Sequence, residues 1–204
     1  MPGMNDVSNV ELLRFCKEYV DISPTEWAQL QIVCVPTTYK RGDFYLLQGE
    51  VCHEIAYVQT GVFRTYYINY DGAEINTEFM MSNDLIGDYA SYKDGTPSQL
   101  SVQALEDASV MRLQLAGSQL PRELLKKVYT LFRRYTQSVY IPRLLEYQLI
   151  LAEPPATRYQ KLLDKLPELS QRVSQKHLSS YLHLTPETLS RIRRKYLDLN
   201  QLAY

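Results

Sequence analysis

Between Tyr39 and about Leu115, six turn-forming groups cut the chain into short β-rich runs, and this rhythm constrains the fold more than any other feature. The runs are 44–47, 54–59, 62–68, 75–81, 100–105 and 109–115. The turns are Arg41-Gly42-Asp43, Gln48-Gly49-Glu50, Thr60-Gly61, Tyr70-Asp71-Gly72, Ser82-Asn83-Asp84 and Lys93-Asp94-Gly95. Turn signals every ~8–12 residues describe a small all-β barrel or roll. Asp71-Gly72, set between two alternating runs, is the plainest hairpin signal.

On both sides of this stretch the period becomes helical. Residues 7–20 place Val10, Leu13, Phe15 and Tyr19 at helical spacing, and Ser23-Pro24 with Glu26 forms an N-cap, an N1 proline and a capping box for a second short helix. Beyond Pro121, the residues Leu124, Val128, Leu131, Tyr135, Ser138, Pro142, Leu145 and Leu149 step by alternating fours and threes. That is a heptad seam, long enough for about 40 Å of helix. A coiled coil between two copies of the chain is favoured over packing on the chain's own core, and Pro142 must kink the helix or split it. Pro154-Pro155 closes the element as a stiff hinge, and helices follow at 157–166, 175–182 and 186–199.

The 204 residues carry a net charge of −1, which hides a strong asymmetry. Residues 157–204 hold nine basic side chains against four acidic ones, +5, so the remaining 156 residues stand at −6. An acidic body joined to a basic terminal piece fits a sensor coupled to a polyanion-binding module. Three cysteines, Cys16, Cys34 and Cys52, are odd in number and scattered, which argues for free thiols in a reducing cytoplasm. The N-terminus has no basic region followed by an apolar run, and the longest charge-free stretch, 27–39, contains two Gln, two Thr and a Pro. A signal peptide and a membrane span are therefore not expected.

Within the basic piece, Gln175–Arg194 has the pattern of a helix-turn-helix. Leu178, Leu182, Leu184, Leu189 and Ile192 fasten two helices at a steep angle, and Ser179 is small where they cross. Thr185 is an N-cap and Pro186 the first helical position, which fixes where the second helix begins. His183 occupies the turn where glycine is common; it reads as a turn residue or satisfied polar contact ahead of a ligand or pH switch. With Leu189, Ile192 and Tyr196 turned inward, Glu187, Thr188, Arg191 and Lys195 face outward. A carboxylate and a guanidinium four residues apart near a helix start can read cytosine N4 and guanine O6/N7, or else pair with each other. Arg172, Lys176, Thr185, Arg193, Arg194 and Lys195 surround them as phosphate contacts.

Over essentially its whole length the chain resembles the Crp/Fnr family of transcription regulators. The likeness rests on Gly42, Gly49 and Gly61 in the β-roll, on Asp71-Gly72 and Asn83–Asp88, and on Glu187–Arg191 in the second helix of the helix-turn-helix. It implies an α+β protein in three parts. Residues 1–120 would form N-terminal helices and a cyclic-nucleotide-binding-like β-roll, a double-stranded β-helix or jelly roll. Residues 121–153 would form a dimerisation helix and 154–204 an all-α DNA-binding domain. The implied partners are double-stranded DNA, a second copy of the chain and RNA polymerase, with base contacts from Glu187, Thr188 and Arg191. The chain resembles the short subgroup, since residues 197–204 after the recognition helix leave no room for a following β-wing.

Family members that bind cyclic AMP hold it with a Gly-Glu pair and an Arg-Ser about ten residues on. Here Gly87-Asp88 keeps the first element, while Ser98-Gln99 replaces the second. Loss of the arginine removes a bidentate contact to a buried phosphate, so tight cyclic-nucleotide binding is not expected. Gly87, Asp88, Ser98 and Gln99, with Tyr135 on the helix seam, either take another small molecule or form a vestigial pocket. No resident cofactor is expected: three distant cysteines cannot hold an iron–sulfur cluster, and Cys52-His53 point to opposite faces of an extended strand. His177 and His183 share no helix face and have no thiol cluster beside them. With no nucleophile elbow, P-loop or Rossmann fingerprint, the chain does not read as an enzyme.

Overall fold

The computed structural model describes residues 6–201, with side chains from 9 to 196. Two helices open it: α1 (Asp6–Tyr19) and α2 (Pro24–Ile32). The capping box of α2 is complete, with Ser23 Oγ accepting the Glu26 N–H at 3.3 Å and Glu26 Oε2 accepting the Ser23 N–H at 2.9 Å. Along α1 the buried stripe is Leu12, Phe15 and Cys16; Val10, expected to face inward, is exposed.

Eight strands then build two four-stranded sheets. They are β1 (Cys34–Tyr39), β2 (Phe44–Leu46), β3 (Ile55–Thr60), β4 (Phe63–Ile68), β5 (Glu74–Met80), β6 (Leu85–Ile86), β7 (Ser101–Ala104) and β8 (Ala108–Leu113). One sheet has the order β1-β8-β3-β6, the other β2-β7-β4-β5. This is the roll expected from the turn rhythm, within the α+β class that the resemblance implied, with two strands the rhythm did not reveal. β1 contains Pro36, which argues against a strand interior, but β1 lies at a sheet edge where the missing N–H costs no ladder bond. β6 has only two residues, too few to show an alternation.

Gly61, between β3 and β4, is fixed by sterics. Its φ is +103°, and a Cβ there would lie 2.3 Å from Ala108 Cβ. The roll's core gathers Ala56, Val58, Phe63, Val110 and Met111, all but inaccessible, with Leu12, Phe15 and Leu30 from the first two helices.

A short helix, α3 (Tyr89–Asp94), interrupts the strands, and α4 (Arg122–Tyr135) follows them. Leu124, Val128, Leu131 and Tyr135 are buried, the last three in the roll's own core. This corrects the expectation of a seam turned throughout toward another chain. Only its later members, Ser138, Pro142, Leu145 and Leu149, are exposed. The helical run does not stop at Pro142. Residues 136–140 form a π-helical turn, and α5 (Ile141–Leu151) continues from it. The cause is visible in the bonding. Pro142 has no N–H to donate, and a proline ring in α geometry would meet the carbonyl four residues back. Two hydroxyls bond carbonyls of the preceding turn: Thr136 Oγ1 donates to the Phe132 carbonyl and Ser138 Oγ to the Arg134 carbonyl, both at 2.8 Å.

Four more helices complete the chain: α6 (Pro155–Lys165), α7 (Leu169–Arg172), α8 (Gln175–Tyr181) and α9 (Pro186–Gln201). The single turn α7 was not expected. Of the tail after the recognition helix, α9 runs on to Gln201, and 202–204 lie outside the described residues. Among the described residues no helix is long and apolar enough to cross a membrane. By contacts the chain divides into two compact units, Met1–Thr65 with Phe79–Ile141, and Tyr66–Glu78 with Pro142–Tyr204. The division thus falls between Ile141 and Pro142, and the tip of the β4–β5 hairpin belongs with the C-terminal helices.

Candidate nucleic-acid interface and effector cassette

In the C-terminal unit, Leu178, Leu182 and Leu189 are fully buried and clasp α8 to α9, with Leu169, Tyr159 and Leu162 beneath them. Ser179, 2% exposed, occupies the close approach and returns its hydroxyl to the Lys176 carbonyl. The turn between the helices is sharp because His183 adopts φ +52°, a left-handed conformation that costs a non-glycine residue about 1 kcal/mol or more. The ring is held: Tyr147 Oη lies 2.9 Å from His183 Nε2, and Arg158 donates to the carbonyl of Leu182 at 2.9 Å. Desolvation and the neighbouring Arg158 push the His183 pKa below its usual value.

Thr185 caps α9 as expected, its Oγ1 accepting the Thr188 N–H at 3.2 Å. Gln175 Nε2 donates to the Pro186 carbonyl at 2.7 Å and pins the start of α9 to the start of α8. From this fixed start, Glu187, Ser190, Arg191 and Arg194 line one shallow depression with Gln175 and Pro186. Glu187 and Arg191 are both exposed, and among the described residues they form no ion pair with each other. Glu187 stays ionised, because its own backbone N–H and the Thr185 hydroxyl hold it below the usual carboxylate range.

Other members of the expected set are placed differently. Lys176, Arg194 and Lys195 are exposed near this face. Thr188 is half-buried and accepts a hydrogen bond from the Thr185 hydroxyl at 3.1 Å, so it supports the cap. Arg172 is paired with Glu168 at 2.8 Å, and Arg193 turns back to the Tyr159 phenol. Leu184, Ile192 and Tyr196 are only half-buried.

A residue that sequence reasoning missed orients the first helix of the pair. Asn76, on β5 and wholly buried, donates from its backbone N–H to Ser180 Oγ at 3.1 Å and from Nδ2 to the His177 carbonyl at 3.0 Å. Its own carbonyl accepts from Tyr147 Oη at 3.3 Å, while Ser180 Oγ donates to the Glu74 carbonyl at 2.8 Å. The available signal was an asparagine inside an alternating strand, where that residue is depleted unless its amide has partners. Tyr147 also stacks on Tyr181 with ring centroids 4.6 Å apart, and burial pushes the Tyr181 phenol up to about 12.

In the N-terminal unit, Gly87, Asp88 and Ser98 come together, but as a closed network. Asp88 N-caps α3, its Oδ1 accepting the N–H groups of Ala90 and Ser91 at 3.0 and 3.1 Å. Its Oδ2 accepts from Ser98 Oγ at 2.8 Å, and Ser98 Oγ in turn accepts the Leu100 N–H at 3.0 Å. Ser91 Oγ ties the same turn to the Cys52 N–H at 2.9 Å. Gly87 has φ +131°, and a Cβ there would meet Ile55 Cδ1 at 2.8 Å. The carboxylate that would face a ribose is therefore satisfied by the protein, and Ser98, 1% exposed, stands where a phosphate clamp would be needed. Gln99 is exposed and outside this network. Tyr135 is elsewhere too: its hydroxyl bonds Asp84 Oδ1 at 3.1 Å and accepts the Leu85 N–H at 3.2 Å.

The three cysteines are buried free thiols, and burial pushes Cys16 and Cys34 up to about 12.

Comparison with known proteins bears on both sites. Residues 36–118 match the family described as the cyclic nucleotide-binding domain. The transcriptional activator protein Anr of Pseudomonas aeruginosa is 27% identical over 176 residues, covering 77% of this chain and 68% of that protein. Its counterpart in Pseudomonas protegens is 26% identical over 183 residues, 80% and 71% of the two chains. Among solved structures, FixK2 of Bradyrhizobium japonicum superposes with a TM-score of 0.63 at 18% identity, covering 82% of this chain and 86% of its own. The c-di-GMP-responsive global regulator CLP of Xanthomonas campestris gives 0.65 at 13% identity, covering 87% and 93%. Both structures share the fold.

Proposed function

We propose that the chain is a transcription regulator of the Crp/Fnr type and works as a homodimer whose two α9 helices enter successive major grooves of a near-palindromic site, a reading supported by the cyclic nucleotide-binding domain and the Anr relatives. It is a DNA-binding transcription regulator. The observation that carries the base-reading assignment is the depression at the start of α9, which an ionised Glu187 and an exposed Arg191 line together on a helix end fixed by Thr185, Pro186 and Gln175. Arg191 takes guanine, Glu187 takes cytosine, and Lys176, Arg194 and Lys195 hold phosphates. Thr188 acts through the cap.

Dimerisation uses the exposed face of α5, where Ile141, Leu144, Leu145 and Leu149 are 42%, 38%, 55% and 71% accessible. In functional terms 1–120 is the sensor part, 121–153 the dimerisation helix and 154–204 the DNA head. The Gly87–Asp88 cassette, closed by Ser98, does not take cyclic AMP tightly. RNA polymerase is the partner of the bound dimer, a reading supported by relatives described as transcriptional activators. The protein acts in the cytoplasm and carries out no catalysis.

The test is selection from random duplex oligonucleotides followed by titration. A palindromic preference should emerge, and Arg191→Ala should cost about 1–3 kcal/mol at one base position while relaxing specificity there. Binding to all sequences alike by both proteins would overturn the assignment.

A further inference from the structure

Outside the cassette, the N-terminal unit contains a cleft of about 570 Å³ bounded by α3, α4 and the 51–53 segment. That volume lies within the usual range for small-molecule sites. Three phenols, Tyr89, Tyr92 and Tyr129, dominate its walls, with His53 and Lys93 among the polar groups. The aromatic walls are braced. Tyr89 and Tyr92 meet Phe132 edge to face, with centroids 6.5 and 6.2 Å apart. Cys52, also in the lining, has its sulfur between the Glu54 carbonyl and the Asp88 N–H, so it serves as wall and not as a nucleophile.

The charged lining of the cleft has one sign. Among the described residues no carboxylate lines it, and Lys93 is the lining cation; its nearest acid, Asp94, lies 3.7 Å away in an exposed contact. Along α4, exposed Arg122, Lys126 and Arg133 fall on the same helix face as Tyr129, at spacings of seven, three and four residues. Lys126 is paired with Glu123 at 2.7 Å, and Arg122 and Arg133 are further exposed cations of that helix face. Rigid aromatic walls select a flat ring, and a single lysine with a neighbouring imidazole matches a monoanion. Among the described residues no helix N-terminus of useful length and no arginine lines the cleft, which disfavours a phosphate dianion.

We propose that this cleft is a binding site for a small planar aromatic carboxylate, its ring between Tyr89, Tyr92 and Tyr129 and its carboxylate on Lys93 and His53. The site stands independently of DNA recognition, since occupancy is measured on the free protein. Isothermal titration of the full chain with salicylate and with indole-3-carboxylate, each against its neutral amide, tests it. One saturable site per chain is expected, with a sub-millimolar Kd for at least one acid and about tenfold weaker binding of the matching amide. Lys93→Met should weaken the acid about tenfold and leave the amide unchanged. Tyr129→Ala should weaken both at unaltered thermal stability, and excess cyclic AMP should not compete. Lys93 is exposed, so its variant stays informative even where a tyrosine change disturbs folding. Absence of saturation at 10 mM with every probe (about 2.7 kcal/mol of affinity), equal binding of acid and amide, or indifference to Lys93→Met would each overturn the proposal.

Discussion

Ser98 shows how much one hydroxyl decides. It closes the second oxygen of Asp88 and caps the Leu100 N–H in a place that is 1% exposed. Ser98→Ala leaves a half-buried carboxylate oxygen and a backbone donor short of partners, so it should cost about 1–3 kcal/mol in urea unfolding. A change under about 0.5 kcal/mol would show the network to be slack. His183 gives a prediction in pH. Its folded-state pKa is lowered by desolvation and by Arg158, so the unfolded chain binds more protons than the folded one just below the ordinary histidine pKa. The stability it contributes is complete above that pKa of ~6.5 and is lost as pH falls toward the lowered value. His183→Asn keeps a residue that tolerates the left-handed turn, and it should flatten this part of the melting-temperature profile between about pH 7.5 and 5.5. A profile with unchanged slope would place the titrating group elsewhere. Both residues were legible in the sequence, but Ser98 only as the absence of an arginine. That its hydroxyl fills the gap depends on a contact between residues ten positions apart, which no local pattern encodes.

Elements followed their periodicity wherever that periodicity was long. Six strands and the helices from α4 onward stood near the expected places, apart from the single turn of α7; β1, β6 and α3 are too short or too irregular to announce themselves. The heptad seam was legible as a spacing and misleading as a partner. A seam states that one face is apolar, not which surface covers it, and Val128, Leu131 and Tyr135 are covered by the roll beside them. The π-helical turn has its own test. Pro142→Ala restores the missing donor and removes the ring, so residues 136–140 should relax to α geometry, with stability rising by about 1 kcal/mol. Hydrogen-exchange protection at Ile141, and at the backbone amide that the substitution creates beside it, would report the change. A loss of stability would mean that the Thr136 and Ser138 hydroxyls, not the proline, hold the turn open.

For the whole molecule, the charge division that the −1 total conceals is the most exposed prediction of assembly and binding. Leu145→Glu puts an unpaired charge on the apolar face of α5; it should weaken self-association more than tenfold in sedimentation equilibrium and reduce operator affinity with it. Unchanged dimer mass would move the interface off this helix. That Glu187, Arg191, Arg194 and Lys195 are exposed on α9 was readable beforehand, because capping residues and a helical period fix which side chains share a face; that Thr188 serves the cap and Arg172 pairs with Glu168 was not. Nor was Asn76, since it lies about a hundred residues from the helix it holds. The clash at Gly61 extends this to how such a chain can vary. With a Cβ at 61 only 2.3 Å from that of Ala108 and 2.8 Å from its Cα, and φ at +103°, position 61 cannot accept a side chain whatever stands at 108. In a saturation-mutagenesis map, Gly61 would appear as intolerant as any base-reading residue although it touches no ligand. A map of forbidden substitutions in this protein would thus record crowded backbone as strongly as function.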